Sequence, residues 1–325
     1  MKAITQKRYG GPEVLEYSEV PVPTPKPDQV LIRVRAASVN AADWLLTRGE
    51  PYLVRLLFGL RAPKAPTPGR DVAGVVAAVG SEVSEFAVGD EVFGEVVAGT
   101  FAEYVVAPAR LLARRPQSLS FEYAACVPLA GMTALQGLRV VAHVAPGERV
   151  LINGASGGVG TFAVQIAVAL GATVTAVCST RNVELVRSLG AHDVIDYTER
   201  DVTDGDERFD VIFDVVGNHP LSKLRRILTP KGILVLSSGS GGPVLGPIGR
   251  LIAAAFQNTL LLVVGVLLIT SLLVMPAAVA LMSVAALSAC SPEVGSKEWC
   301  DQLKEKPKGD WSANEAADFA KHCVL

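Results

Sequence analysis

The chain has 325 residues, a formal net charge of −2 and 19% charged residues, a length that suits two domains with an appendage and a charge balance that offers nothing to a nucleic acid. Half of the residues are apolar and the mean hydropathy is +0.37; the excess is concentrated, since no charged residue lies between Arg250 and Glu293. The five cysteines also divide unevenly, with Cys126 and Cys178 in front and Cys290, Cys300 and Cys323 at the end, so the front reads as a reduced intracellular protein and the back as something else.

The first residues, Met1-Lys2-Ala3-Ile4-Thr5-Gln6-Lys7-Arg8, have no apolar h-region, and no amino-terminal signal peptide is expected. Residues 1–118 read as β-rich. Strands are expected at 30–37, at 74–79 before the turn Gly80-Ser81, at 91–94 and at 104–106, with turn residues at 10–12, 23–28, 89–90 and 99–100. Many short strands with few helices predict a partly open barrel. Asn40 sits in Ser38-Val39-Asn40-Ala41-Ala42-Asp43 and, taken alone, reads as a turn residue. Cys126 has no partner His nearby and reads as a small core residue.

Residues 119–250 change period. Val150-Leu151-Ile152 is a short apolar run of the kind found in a parallel strand covered on both faces. It leads into Gly154-Ala155-Ser156-Gly157-Gly158-Val159-Gly160 and a helix expected at 161–170. Ala155-x-Gly157-x-x-Gly160 has the spacing of a dinucleotide-binding turn, with Ala in the first glycine position. Small residues there let the backbone approach a pyrophosphate, and the helix N-terminus offers free N–H groups and partial positive charge. A strand before it, a helix after it and a second strand at 173–178 give the spacing its context. Further strands are expected at 194–197, 209–215 and 232–237, with helices at 182–189 and about 220–228.

The end of the second strand bears on the cofactor. An NAD site wants a carboxylate there for the ribose hydroxyls, and an NADP site wants a cation and hydroxyls for the 2′-phosphate. The residues are Cys178-Ser179-Thr180-Arg181, with no carboxylate before Glu184. Arg181 can fork onto a phosphate and Ser179 and Thr180 can donate to it, so NADPH is expected over NADH.

Taken together, Pro68-Gly69-Arg70-Asp71-Val72-Ala73-Gly74, Val88-Gly89-Asp90-Glu91-Val92, Gly99-Thr100-Phe101-Ala102-Glu103-Tyr104 and the opening Tyr9-Gly10-Gly11-Pro12-Glu13-Val14-Leu15 resemble the zinc-independent quinone oxidoreductase branch of the medium-chain dehydrogenase/reductase superfamily. The resemblance runs from residue 1 to about 250. It implies an α/β fold: a GroES-like partly open β-barrel (1–118) and a doubly wound parallel-sheet Rossmann domain (119–250). Where zinc-dependent relatives place Cys and His-Glu, this chain has Asn40 and Arg70-Asp71; neither Asn nor Arg is a zinc ligand, so no metal is expected. The resemblance implies that Asn40, Tyr52 and Thr133 line the substrate side. For the cofactor it implies Ala155 to Gly160 (including Ser156, Gly158 and Val159), Ser179, Thr180, Arg181, Tyr197, Val216, Gly217, Ser237 and Ser238. It also implies hydride transfer to a quinone or α,β-unsaturated carbonyl.

Past residue 250 the resemblance stops. The sheet is expected to lack its sixth strand, and with it the edge that often carries the family's dimer contact. Residues 251–289 read instead as a transmembrane or signal-like segment. Residues 259–289 would measure about 46 Å as one helix, against a hydrocarbon layer of roughly 30 Å, and Pro276 splits them. Leu287-Ser288-Ala289-Cys290 resembles a bacterial lipobox, with Cys290 the acylated residue. Residues 290–325 resemble a family of very short bacterial lipoproteins of unknown function, which implies a Cys300–Cys323 disulfide in an oxidising periplasm, front domains in the cytoplasm and anchoring to the inner membrane. A metal held by Cys300, Cys323 and His322 is the alternative use of those side chains. Two functions are therefore carried forward: an NADPH-dependent, zinc-free oxidoreductase, and a non-enzymatic chimaera or membrane-anchored lipoprotein whose front is a residual nucleotide-binding fold.

Overall fold

The computed structural model describes residues 1–237 and the strand at 261–263, all within one compact unit, Met1–Met275. The front begins with an antiparallel ribbon of β1 (Lys2–Gln6) and β2 (Leu15–Glu19). A five-stranded antiparallel sheet follows from β3 (Gln29–Ala36), β4 (Asp71–Val79), β5 (Glu91–Glu95), β6 (Tyr104–Pro108) and β7 (Leu112–Arg114), in the order β6-β3-β4-β5-β7. Val30 and Ile32 of β3, Val72 and Val76 of β4, Val92 of β5 and Val105 of β6 are fully buried and form its core. Their period of two is the signature of strands with one face on a core. The expected strands are found, and the β4 run starts three residues earlier than its apolar stretch, at Asp71.

Two short helices, α1 (Ala41–Arg48) and α2 (Arg55–Phe58), lie between β3 and β4. Asn40 is the N-cap of α1 rather than a free turn residue. Its backbone N–H donates to Asp43 Oδ2 at 2.8 Å, the reciprocal bond of a capping box, which satisfies a donor that the first helical turn leaves open. The reading of Cys126 needs correction: it is exposed. It ends α3 (Phe121–Cys126), whose buried positions are Ala124 and Ala125.

The back half runs α4 (Pro128–Leu135), a π-helical turn, β8 (Arg149–Asn153), α5 (Gly158–Ala169), β9 (Thr173–Cys178), α6 (Val183–Ser188), β10 (Asp193–Asp196), β11 (Phe209–Asp214), α7 (Leu221–Arg226), β12 (Leu228–Leu236) and β13 (Leu261–Val263). The strands form a parallel sheet in the order β10-β9-β8-β11-β12-β13. Val150, Leu151 and Ile152 are 0% exposed, as a central strand packed on both faces requires. The order reverses direction between β8 and β11, and a ligand crevice opens at the C-terminal ends of strands flanking such a reversal.

This sheet corrects the expectation of a missing sixth strand and of a domain ending at residue 250. Leu261–Val263 pairs in parallel with β12, Leu234 opposite Leu261 and Leu236 opposite Val263. The confusion has a physical origin. A parallel strand covered on both faces and a membrane-crossing segment are both unbroken apolar runs; they differ in length, and the run beginning near residue 259 is long enough to hide a strand. Among the described residues no helix is long and apolar enough to cross a membrane. The rest of the apolar segment, Ser238, the lipobox Cys290 and the Cys300/Cys323 pair lie outside the described residues.

Candidate active site

A cleft of about 680 Å3 runs along the crevice, walled on one side by Val39 to Ala42 and on the other by the glycine turn and the ends of β9 and β11. Gly154 has φ 91°, and a Cβ there would meet the Val216 side chain at 2.6 Å. Glycine is thus demanded both by backbone conformation and by the close approach of the 215–217 loop. Gly157 and Gly158 differ. Their backbone is exposed, and a Cβ on either would meet no protein atom nearer than 3.5 Å. The space beside them is open to a ligand at the N-terminus of α5, where N–H groups have no helical partner. Ala155 is fully buried and shapes the turn from behind.

At the other end of the cleft stand Ser179, Arg181 and Tyr197, joined by Asn182, which the sequence reading missed. Asn182 Nδ2 donates to Ser156 Oγ at 3.0 Å and to Ser179 Oγ at 3.2 Å. One amide thereby ties the glycine turn to the end of the second strand and orients two hydroxyls. Arg181 is exposed and forms no ion pair among the described residues. Thr180 is not on the cleft wall; its hydroxyl is bonded to Thr198 at 3.0 Å. Cys178 is on the wall, and burial raises its thiol pKa with help from the Asp196 charge.

The 215–217 loop is held from below by Asp214, which is completely buried. Its Oδ1 accepts from Gly217 N at 2.8 Å, Val216 N at 3.3 Å and Asn153 Nδ2 at 2.8 Å, and Asn153 Nδ2 also reaches Asn218 Oδ1 at 2.8 Å. Val216 lines the cleft, whereas Gly217 and Ser237 are not on its wall; the Ser237 N–H donates to Asp214 O at 3.0 Å.

Asn40 is on the cleft wall, but its amide N–H groups are both engaged. Nδ2 donates to Asp71 Oδ2 at 3.0 Å and to Ser38 Oγ at 3.1 Å. Asp71 is 0% exposed. It also accepts from Ser38 Oγ at 2.9 Å and, through Oδ1, from the backbone N–H of Leu129 in the first turn of α4 at 3.1 Å. Burial pushes its carboxyl up from 3.8 to about 7, against the hydrogen bonds from Asn40 and Ser38. A carboxyl whose folded pKa is raised adds stability that is present below its unfolded pKa and is lost as pH rises through the folded one. The denaturation midpoint is therefore expected to fall between about pH 4 and pH 7, with a shallower slope in Asp71→Asn; an unchanged slope would remove Asp71 as the titrating group.

Tyr52 and Thr133 are not brought to the cleft wall. Tyr52 is 48% exposed and stacks on Arg55, whose guanidinium lies 4.6 Å from its ring and 4.7 Å from the ring of Tyr9. Thr133 turns its hydroxyl back to Leu129 O at 2.7 Å, an ordinary helix-interior bond.

Arg70 is 1% exposed and forks onto Glu95 Oε1 through Nε, at 3.0 Å, and Nη2. Its Nη1 has no partner among the described residues. At the positions where a catalytic zinc would need ligands stand an amide and a guanidinium, and no three His, Cys, Asp or Glu side chains converge among the described residues. These residues do not fit a zinc ion.

Family descriptions match three stretches: an alcohol dehydrogenase GroES-like domain at residues 26–117, a zinc-binding dehydrogenase at 158–277 and a family of unknown function, DUF3012, at 294–325. The quinone oxidoreductase of Pongo abelii is 36% identical over 257 residues, 76% of each chain. The chain belongs to the quinone oxidoreductase family. The NADPH-dependent alkenal/one oxidoreductase of Arabidopsis thaliana is 38% identical over 255 residues, which make up 75% of this chain and 64% of that one. The crystal structure of the quinone oxidoreductase of Pseudomonas syringae superposes with a TM-score of 0.72 at 34% identity, covering 88% of this chain and 89% of that one. The chain spans 61% to 64% of the length of the plant relatives it matches. The dehydrogenase match reaches residue 277, past the sixth strand, in keeping with the completed sheet.

Proposed function

We propose that the chain is an NADPH-dependent, zinc-independent reductase of quinones or α,β-unsaturated carbonyls. The observation that carries this reading is the cleft itself, which joins a glycine turn with room for a pyrophosphate to a cation at the second-strand end and to the Ser156 and Ser179 hydroxyls, and to the Asn40 wall. When bound, NADPH supplies the hydride. The N-terminus of α5 and the backbone at Gly157 and Gly158 receive the pyrophosphate. Arg181, Ser179 and Ser156, with Asn182 bridging the two hydroxyls, receive the 2′-phosphate. Val39, 80% exposed, and Val216, 46% exposed, give the open end an apolar wall suited to a quinone or enone ring.

The titratable groups among the cleft-lining residues are Cys178, Arg181 and Tyr197, all at the ribose-phosphate end. In this reading water entering the open cleft supplies the proton that completes reduction. Rate enhancement rests on positioning and on exclusion of competing geometries rather than on a general acid.

The test is a titration with NADPH and with NADH followed by cofactor fluorescence, then turnover with benzoquinone and cyclohexenone. Arg181→Ala is expected to weaken NADPH binding about 10- to 30-fold, the loss of one charge-assisted phosphate contact, and to leave NADH binding unchanged. Equal losses for both cofactors would remove the 2′-phosphate assignment. Binding without turnover would favour the second reading, a nucleotide-binding fold that no longer catalyses.

A further inference from the structure

Asp71 is a carboxyl that no sequence motif assigns to the reaction, yet it sits behind the one polar residue on the substrate wall. Three donors converge on it from three elements: Ser38 after β3, Asn40 at the cap of α1, and the Leu129 N–H in the first turn of α4. The first two belong to the GroES-like domain, and the third belongs to the segment leading into the nucleotide domain. An amide group has two N–H donors. With one on Asp71 and the other on Ser38, Asn40 has only its carbonyl oxygen left to meet a ligand, and that oxygen also caps the Asp43 N–H in the first turn of α1, leaving one lone pair over. The carboxylate also fixes the sense of the amide, because an ionised Asp can only accept. The charged groups on the surrounding elements are Glu95 on β5, Asp43 on α1, Arg70 just before β4, and the exposed Arg33 and Arg35 on β3; α4 brings none.

We propose that Asp71 is a positioning residue for the site: it locks the Asn40 amide in the sense that leaves an acceptor, not a donor, on the cleft wall. Resting on the proposed reductase activity, this assigns Asn40 a hydroxyl-bearing group of the bound cofactor or reduced product rather than a substrate carbonyl. In Asp71→Asn the buried carboxylate becomes an amide of the same shape, and the Asn40 amide loses the acceptor that fixes its sense, keeping only Ser38 and the α1 cap.

Three measurements on the full chain test this. Asp71→Asn is expected to lower kcat about 30-fold, the scale of a displaced positioning group, with NADPH affinity within about 2-fold of wild type, since the glycine turn and Arg181 are untouched. Ser38→Ala removes one of the two bonds on the Asn40 amide and keeps the carboxylate, so a smaller loss, about 3- to 10-fold, is expected in a variant whose fold is less at risk. The Asn40 side-chain amide resonances, followed in asparagine isotope-labelled protein and assigned with Asn40→Ala, are expected to shift with pH in the wild type and not in Asp71→Asn. Loss of NADPH affinity in parallel with kcat would make Asp71 a brace between domains and overturn the proposal, as would unchanged kcat in both variants. If the wild type turns over no quinone or enone, the reductase reading fails. The resonance measurement then still decides about Asp71: a pH-dependent shift supports it and a static one overturns it.

Discussion

Alanine at Gly160 is expected to unfold or severely destabilise the protein, and valine at Gly157 to leave it folded but unable to hold its cofactor. A Cβ at Gly160 would lie 2.1 Å from Gly154 O and 2.7 Å from two backbone atoms of Ala155, in the first turn of α5. Neither neighbour is a flexible side-chain end, so the strand-turn-helix junction itself must move. The expected cost is at least about 3 kcal/mol, the upper range for overpacking. At Gly157 the nearest protein atom is 3.5 Å away, and the added side chain fills the space kept for the pyrophosphate. NADPH affinity is expected to fall about 100-fold, or about 2.8 kcal/mol, with the urea midpoint unchanged. Urea denaturation and NADPH titration of the two variants separate folding from binding. Equal destabilisation of both, or full NADPH affinity in Gly157→Val, would contradict this division of the turn.

The second large effect belongs to Arg70 and Glu95. Their side chains are 2% and 6% exposed, so either charge left alone is buried without its counter-ion. Glu95→Gln is expected to cost about 3–5 kcal/mol, the scale for breaking a buried pair from one side. Replacing both partners, as Arg70→Met with Glu95→Leu, is expected to recover most of that loss, because the pair's attraction is offset by the desolvation of two charges. A double variant as unstable as the single one would show that Arg70 has further partners of equal weight. The pair also explains why a zinc-ligand position can be taken over by a cation: the guanidinium is neutralised from within the barrel, away from the cleft.

Much of this could be read from residue order alone. The strands at 149–153 and 173–178 and the turn between them were legible because a doubly buried parallel strand writes itself as an unbroken apolar run, and a phosphate-binding turn as small residues at fixed spacing. Asp71, Asn153 and Asn182 were not legible, because their roles depend on partners 26 to 65 residues away. Asn182 had one local signal, its place at the start of the helix expected at 182–189, and its side chain makes no cap bond there. Tyr52 and Thr133 are the opposite case, since the structure places neither on the cleft wall. Resemblance carried them into the site, but Arg55 holds the first and the Leu129 carbonyl occupies the hydroxyl of the second. The sixth strand was lost to length: three residues of strand inside a long apolar run carry no period of their own.

That short strand also decides what β12 presents to its surroundings. Beside Leu234–Leu236, residues 261–263 direct backbone bonds to β12, so a row of amides that would otherwise stand open on the sheet is paired. The partner arrives from 25 residues further along the chain, and the strand that carries the loop end at Ser237 is thereby held between two neighbours, β11 and β13. A substitution that loosens residues 261–263 would then leave every cofactor contact in place and still expose a strand edge beside the site.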